Sequence, residues 1–121
     1  MTDQQKRIMI QAYYASISFI DEQVGKLISK LEELKLKEST LIIFVSDHGF
    51  LLGEHELWQK PNLFENTLRI PLIISDPSSA KAGLSSDSLI ELIDIYPTIL
   101  ELSDLEIPDH VVGRSLSLIH I

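Results

Sequence analysis

Residues 41–60 read LIIFVSDHGFLLGEHELWQK, and their pattern indicates an α/β fold. The apolar run over 41–45 is followed at once by the polar cluster SDHG, residues 46–49. A continuous apolar run is typical of a strand that is buried on both faces. The polar cluster is therefore predicted to lie at the carboxyl end of that strand, which is the edge where open α/β sheets bind ligands.

The flanking sequence alternates between helix and strand patterns. Apolar residues at three- and four-residue intervals predict a long helix over 4–36, with Thr2 and Gln5 at the spacing of a capping box. Asn62 and Asp94 are the expected caps of two shorter helices. The other predicted elements are strands over 40–45, 70–75 and 88–93, a loop over 50–61, and helices over 62–68 and 95–103. This alternation predicts an α/β fold with a mostly parallel sheet and flanking helices.

Length and composition are those of a single globular domain over 1–121, with 45% apolar and 23% charged residues. The formal net charge of −8 argues against attraction to nucleic acid or to an anionic membrane surface. No apolar run approaches the roughly 18 residues of a membrane span. The first residues, MTDQQKR, lack the apolar core of a signal peptide. The absence of cysteine excludes disulfides and thiolate zinc sites.

Asp47 and His48 are candidate metal ligands, because a carboxylate and an imidazole follow each other on one turn. We expect Gly49 to keep that turn flexible. Oxygen ligands suit calcium or magnesium, and an imidazole also admits manganese or zinc. Two residues cannot fill such a site, so other ligands must come from elsewhere. In the alternative interpretation, Asp47 caps the turn and His48 is a half-buried polar residue.

Lys60 and His55 are candidate catalytic residues in the loop that follows. An ammonium group near a metal can bind a sulfate or phosphate oxygen and stabilise the charge of a leaving group. His55 can donate a proton or contact the substrate, or it can serve only to cap local structure. A surface lysine is most often a solvated charge, which is the alternative for Lys60.

The chain resembles the C-terminal part of the catalytic domain of type I sulfatases, in the alkaline phosphatase superfamily, and iduronate-2-sulfatase-like enzymes in particular. The resemblance is carried by AYYASISFIDEQVGKLISKLEEL, STLIIFVSDHG, LLGEHELWQK, RIPLIIS, LIELIDIYPTILEL and VVGRSL, in that order. It implies that Asp47 and His48 bind calcium and that Lys60 contacts the substrate sulfate. It also implies a near-site position for His55.

The resemblance also implies parts that this sequence lacks. Sulfatases use a formylglycine made from the Cys or Ser of a C/S-x-P-x-R motif, and its hydrated oxygen attacks sulfur. Here the only Ser-x-Pro sequence, over 75–77, has Ser79 in place of the arginine and lies downstream of the metal pair. We therefore expect the nucleophile and the remaining metal ligands upstream of residue 1. The chain is then an incomplete, partial alkaline-phosphatase-like fold, inactive alone, with an exposed sheet edge and an uncovered apolar face.

The implied substrate is a sulfated small molecule or a sulfated saccharide, with no nucleic acid or membrane partner and an undetermined oligomeric state. An extracytoplasmic location (periplasmic, secreted or lysosomal) follows from the resemblance alone. One alternative keeps the superfamily and makes the protein a phosphodiesterase or phosphonate hydrolase. Another is a non-enzymatic α/β module whose acidic loop binds a cation or a protein partner.

Overall fold

The structure is a computed structural model that describes residues 1–60, 62–79 and 83–117. The last residue of the predicted loop over 50–61 therefore lies outside the described residues. The helices and strands, in chain order, are α1 (Asp3–Glu33), β1 (Ile42–Val45), α2 (Glu65–Leu68), β2 (Leu72–Ser75) and α3 (Ile95–Leu102). Short 3₁₀ turns occur at Lys37–Ser39, Glu54–Glu56 and Leu92–Asp94.

Helix α1 begins where the capping box predicts. The Thr2 hydroxyl accepts a hydrogen bond from the Gln5 backbone N–H, and the Gln5 side chain accepts one from the Thr2 N–H. The helix ends three residues earlier than predicted, because Lys35 has a φ of 57°. The backbone N–H of Leu36 then donates to the carbonyl of Leu31 at 2.9 Å. This is a Schellman closure with lysine, rather than glycine, in the left-handed position.

The apolar face of α1 is present but is not buried. No residue of this helix is buried, and Ile8, Phe19 and Leu27 remain 57%, 62% and 67% exposed. Burying such a face is what stabilises most helices in proteins. The apolar face of α1 is therefore exposed in this chain.

Strands β1 and β2 form a two-stranded sheet. The Ser46 N–H, one residue beyond β1, donates to the carbonyl of Pro71, one residue before β2, at 3.3 Å. The end of one strand thus lies beside the start of the other, which is the register of an antiparallel pair. Sheets that are mostly parallel commonly include one such strand. Phe44 is 42% exposed, so β1 is not covered on both faces within this chain.

The predicted strand over 88–93 is wrong. Its residues have no strand structure, and the 3₁₀ turn Leu92–Asp94 occupies its end. The Asp94 carboxylate accepts a hydrogen bond from the Glu91 N–H at 2.9 Å, which folds the backbone into this turn. A short apolar run does not by itself distinguish a strand from a helical turn, and the acidic residues decided the conformation here.

One compact unit comprises Met1–Ser39 and Phe44–Ile73. Its fully buried side chains include Leu51, which follows the polar turn, and Thr67 in α2. Both residues belong to segments that adjoin the candidate-site residues Asp47 and Lys60 in the sequence.

A second compact unit comprises Thr40–Ile43 and Ile74–Ile121. At its centre the Asp94 carboxylate, 4% exposed, also accepts a hydrogen bond from the Arg114 N–H at 2.8 Å. The Thr98 hydroxyl donates to the Asp94 carbonyl and accepts from the Leu116 N–H. The predicted cap of α3 is therefore wrong in detail, because the Asp94 side chain caps the preceding turn and holds the segment after Gly113.

Candidate anion and metal site

The turn after β1 is held against α2 by backbone contacts. The Gly49 N–H donates to the Thr67 carbonyl at 2.8 Å. A Cβ atom at Gly49 would lie 2.6 Å from Thr67 Cα and 2.8 Å from the Asn66 carbonyl oxygen. Glycine is thus required here for close approach of two backbones. The expected role of Gly49 in keeping the turn flexible is wrong, because the position is tightly packed.

Lys60 and Asp47 form the ion pair that joins the two ends of the loop. The Lys60 Nζ lies 2.6 Å from Asp47 Oδ2, with the two side chains 47% and 75% exposed. The Lys60 hydrogen bond lowers the pKa of the Asp47 carboxyl from its ordinary value of 3.8. The structure therefore brings the predicted carboxylate and ammonium together at the end of β1.

His48 is engaged on both sides of its ring. Its Nδ1 lies 2.8 Å from the Gly49 carbonyl oxygen, and its Nε2 lies 3.0 Å from the carbonyl oxygen of Asn62. A neutral imidazole donates through one nitrogen only, and each His48 nitrogen here faces a carbonyl oxygen where a metal would have to lie. One of these contacts must therefore be exchanged before His48 can coordinate a cation.

Residue types at this turn suit a divalent cation, but their arrangement does not form a complete metal centre. Over residues 1–60, 62–79 and 83–117, no group of three or more His, Cys, Asp or Glu side chains could share an ion. Asp47 is exposed and offers its carboxylate, whereas His48 is held by backbone carbonyls. In this arrangement Asp47 is the available ligand, and a complete metal site needs further ligands besides Asp47 and His48.

The loop between Asp47 and Lys60 folds back on itself. The Leu51 N–H donates to the Gln59 carbonyl at 3.1 Å, and the Gly53 N–H donates to the Leu57 carbonyl at 3.0 Å. Leu51 is fully buried and anchors the base of this loop. These contacts bring Lys60 back to the turn from which the loop started.

His55 lies at the tip of this loop, in the 3₁₀ turn Glu54–Glu56. Its imidazole stacks on the Phe64 ring, with centroids 4.0 Å apart and planes inclined by 17°. His55 and Glu56 both have left-handed backbones, with φ of 53° and 61°. Non-glycine residues in this region cost of order 1–3 kcal/mol each, and such strain is often found near functional sites.

The sequence predicted that Asn62 caps a helix that starts at residue 62, and this prediction is wrong. Helix α2 begins at Glu65, and the Asn62 side-chain oxygen instead accepts hydrogen bonds from the Phe64 N–H and the Thr67 hydroxyl. Phe64 and Thr67 support this turn, although no sequence pattern predicted that role for them. An asparagine five residues before a threonine carries no recognised spacing, so only the folded turn reveals their connection.

In the described parts of the chain, no helix combines the length and the hydrophobicity that crossing a membrane requires.

A family model and individual relatives both show that the chain is similar to sulfatases. The family model described as Sulfatase matches residues 1–105. The chain is 41% identical over 108 residues to an arylsulfatase from Clostridium perfringens, covering 87% of this chain and 22% of the relative. It is 35% identical over 130 residues to human iduronate 2-sulfatase, covering 88% and 24% respectively. The chain thus spans less than a quarter of the length of these relatives.

A solved structure, described as a complex with its substrate D-glucosamine-2-N,6-O-disulfate, is similar with a TM-score of 0.83 and 36% identity. The likeness covers 89% of this chain and 22% of that protein. It confirms the predicted α/β fold class.

Proposed function

The chain belongs to the sulfatase family, and on that premise we propose that it contributes part of the active site of a sulfuric ester hydrolase. The observation that best supports this proposal is the ion pair between Lys60 Nζ and Asp47 Oδ2, 2.6 Å apart at the carboxyl end of β1. A lysine held at a sheet edge, next to a carboxylate of the metal-ligand type, is suited to bind a tetrahedral anion.

Lys60 is the residue of this chain that binds the sulfate group in the proposed reaction. Its ammonium exchanges the Asp47 carboxylate for a sulfate oxygen when the substrate enters. During hydrolysis the bond between sulfur and the alcohol oxygen breaks, and negative charge grows on the departing oxygen and the sulfate oxygens. A fixed ammonium stabilises this charge more strongly in the transition state than in the bound ester.

Sulfatases generally use a metal ion and a formylglycine. In the proposal, Asp47 and His48 are two ligands of a calcium ion, and the other ligands and the formylglycine come from residues outside this chain. Binding requires His48 to exchange its contact with the Asn62 carbonyl. The ion, when bound, supplies positive charge that neutralises sulfate oxygens. His55 is the near-site residue contributed by the same loop.

The proposed substrate class is a sulfated saccharide or another sulfated small molecule. Support comes from the relatives, because the similar solved structure is described in complex with a disulfated glucosamine and another relative is named N-acetylglucosamine-6-O-sulfatase, from Bacteroides thetaiotaomicron. The acidic chain does not attract such anions by its overall charge of −8. Attraction must then come from local cations such as Lys60. The proposed location is extracytoplasmic, whether periplasmic, secreted or lysosomal.

The test replaces Lys60 by methionine in a protein that joins this chain to the rest of a sulfatase domain. We expect Lys60→Met to lower kcat for an aryl sulfate by about 100- to 1,000-fold, the scale for loss of one charge-stabilising group. The matched control is Lys37→Met. It also removes an exposed ion pair of a lysine, here with Glu32, but this pair lies outside the loop. Equal activity of the two variants would refute the proposed role.

Phosphate and sulfate esters with the same alcohol, tested side by side on this protein, separate the two reaction classes. A higher kcat/KM for the phosphate ester would favour the phosphodiesterase or phosphonate hydrolase alternative over the sulfatase proposal.

A further inference from the structure

The stack of His55 on Phe64 joins two residues that lie on either side of Lys60 in the sequence. His55 precedes the lysine by five residues and Phe64 follows it by four. The ring centroids are 4.0 Å apart and the planes are nearly parallel. An aromatic contact between two residues on either side of a third limits where the backbone of that third residue can lie.

The backbone before Lys60 adopts a conformation that needs support. Gly53, His55 and Glu56 have φ values of 113°, 53° and 61°. Two of these are L-residues in a region that side chains disfavour. Such a conformation persists where surrounding contacts hold it. The Glu54 carboxylate accepts from the Leu52 N–H at 2.6 Å, and the His55 ring rests on Phe64.

Phe64 is itself fixed by its neighbours. Its N–H donates to the Asn62 side-chain oxygen at 3.0 Å, and its carbonyl accepts a hydrogen bond from the Thr67 hydroxyl at 2.8 Å. Thr67 is fully buried. The ring on which His55 rests is therefore attached to the interior of its unit, whereas the His55 ring is exposed.

We propose that His55 is a positioning residue, which holds Lys60 next to Asp47 by stacking on Phe64, and that its aromatic face rather than its proton is what the site requires. The inference rests on the proposed function only for the identity of the anion that Lys60 binds. The effect of the stack on the ion pair between Lys60 and Asp47 is independent of any turnover.

The test measures how fast an amine-acetylating reagent modifies each lysine of the 121-residue chain, by peptide mass spectrometry. The rate at Lys60 is divided by the rate at Lys30, whose pair with Glu33 at 2.7 Å lies on α1. We expect His55→Ala to raise this ratio about two- to fivefold, the scale of losing one exposed ion pair. Asp47→Asn gives the reference rate for a Lys60 that has lost its carboxylate partner.

The ring-bearing variant His55→Phe should restore the wild-type ratio, because it keeps a flat face and lacks an ionisable proton. Phe64→Leu, which retains an apolar side chain without a ring, should reproduce the rise seen in His55→Ala. An unchanged ratio in His55→Ala, or a ratio in His55→Phe equal to that of His55→Ala, overturns the proposal. Acetylation needs no sulfatase activity, so it tests only the positioning role of His55. The sulfate-binding role of Lys60 is tested separately by the kinetics of Lys60→Met.

Discussion

At the scale of single residues, the Asp47 carboxyl is the group whose titration reports on the candidate site. Hydrogen bonding from Lys60 is the largest cause that lowers its pKa from the ordinary value of 3.8. A carboxyl with a lowered folded pKa contributes stability above its unfolded pKa, and this contribution is lost as the pH falls through the folded value. The ion pair should therefore persist below pH 3.8.

We predict that Lys60→Met moves the pKa of Asp47 upward, toward 3.8, since it removes the largest stabilising contact of the charged form. The measurement is the carboxyl carbon chemical shift of Asp47 as a function of pH. Lys37→Met is the control and should leave the pKa of Asp47 at its wild-type value. A titration of Asp47 that is insensitive to Lys60 would mean that the ion pair does not form in solution.

Gly49 is the residue at which the close packing of the turn can be measured directly. Gly49→Ala places a Cβ atom 2.6 Å from Thr67 Cα, where backbone must move. We predict a loss of about 1–3 kcal/mol in the free energy of unfolding, the usual cost of overpacking. The matched control is Gly25→Ala in α1, where nothing lies within 4 Å of the added atom.

Gly25→Ala should raise the free energy of unfolding, because an exposed helix interior favours alanine over glycine by roughly 0.5–1 kcal/mol. Urea unfolding of both variants should thus give changes of opposite sign. Similar changes at the two positions would contradict the close approach of the turn to α2.

At the scale of elements, Asp94 ties a 3₁₀ turn to a distant segment of the same unit. The Arg114 N–H is the largest cause that lowers the pKa of this carboxyl, and the Glu91 N–H adds to it. We predict that Asp94→Ala destabilises the protein by about 1–3 kcal/mol for each amide left without its partner. Asp94→Asn, which keeps one acceptor oxygen, should be less destabilising, and the exposed Asp109→Ala should have little effect.

The pH dependence of the Asp94 contribution follows from the sign of its shift. Its stabilisation is complete above the unfolded pKa, near 3.8, and is lost as the pH falls further through the lowered folded value. Urea unfolding of Asp94→Ala should therefore vary less with pH in that acid range than unfolding of the wild type. A parallel pH dependence in the two proteins would show that folding does not lower the pKa of Asp94.

Sequence patterns predicted the elements whose signals are local. The capping box located the start of α1, and the apolar run followed by SDHG located β1 and its turn. The strand over 88–93 was wrong because hydrogen bonds of Asp94 and Glu91 outweighed a short apolar run. The packing of Gly49 on Thr67 depends on two segments meeting, which no local pattern contains.

The candidate site could be predicted in its composition and only partly in its geometry. The sequence named Asp47, His48 and Lys60, and the structure brings the first and the last within 2.6 Å. Engagement of both His48 nitrogens by carbonyl groups was not foreseeable, because it depends on the position of Asn62 after the loop closes. The stack of His55 on Phe64 likewise arises from loop closure.

At the scale of the whole molecule, we predict that the purified 121-residue chain does not hydrolyse aryl sulfates, with or without calcium. The reason is physical, since the described residues contain neither a group of three metal ligands nor a formylglycine precursor motif. The assay compares release of the phenol with that in buffer. Its positive control is a protein that contains the remaining sulfatase residues, and turnover by the chain alone would contradict the division of the active site proposed above.

The uncovered face of α1 has a consequence for how the polypeptide behaves inside a producing cell. Phe19 and Leu27 on this helix stay more than 60% exposed after the chain has folded. Holdase chaperones bind exposed apolar side chains of this kind, and newly synthesised chains that expose them aggregate. Yield in a recombinant host should therefore depend on chaperone supply and growth temperature. Substituting glutamate for Phe19 and Leu27 is the direct way to obtain a monodisperse sample.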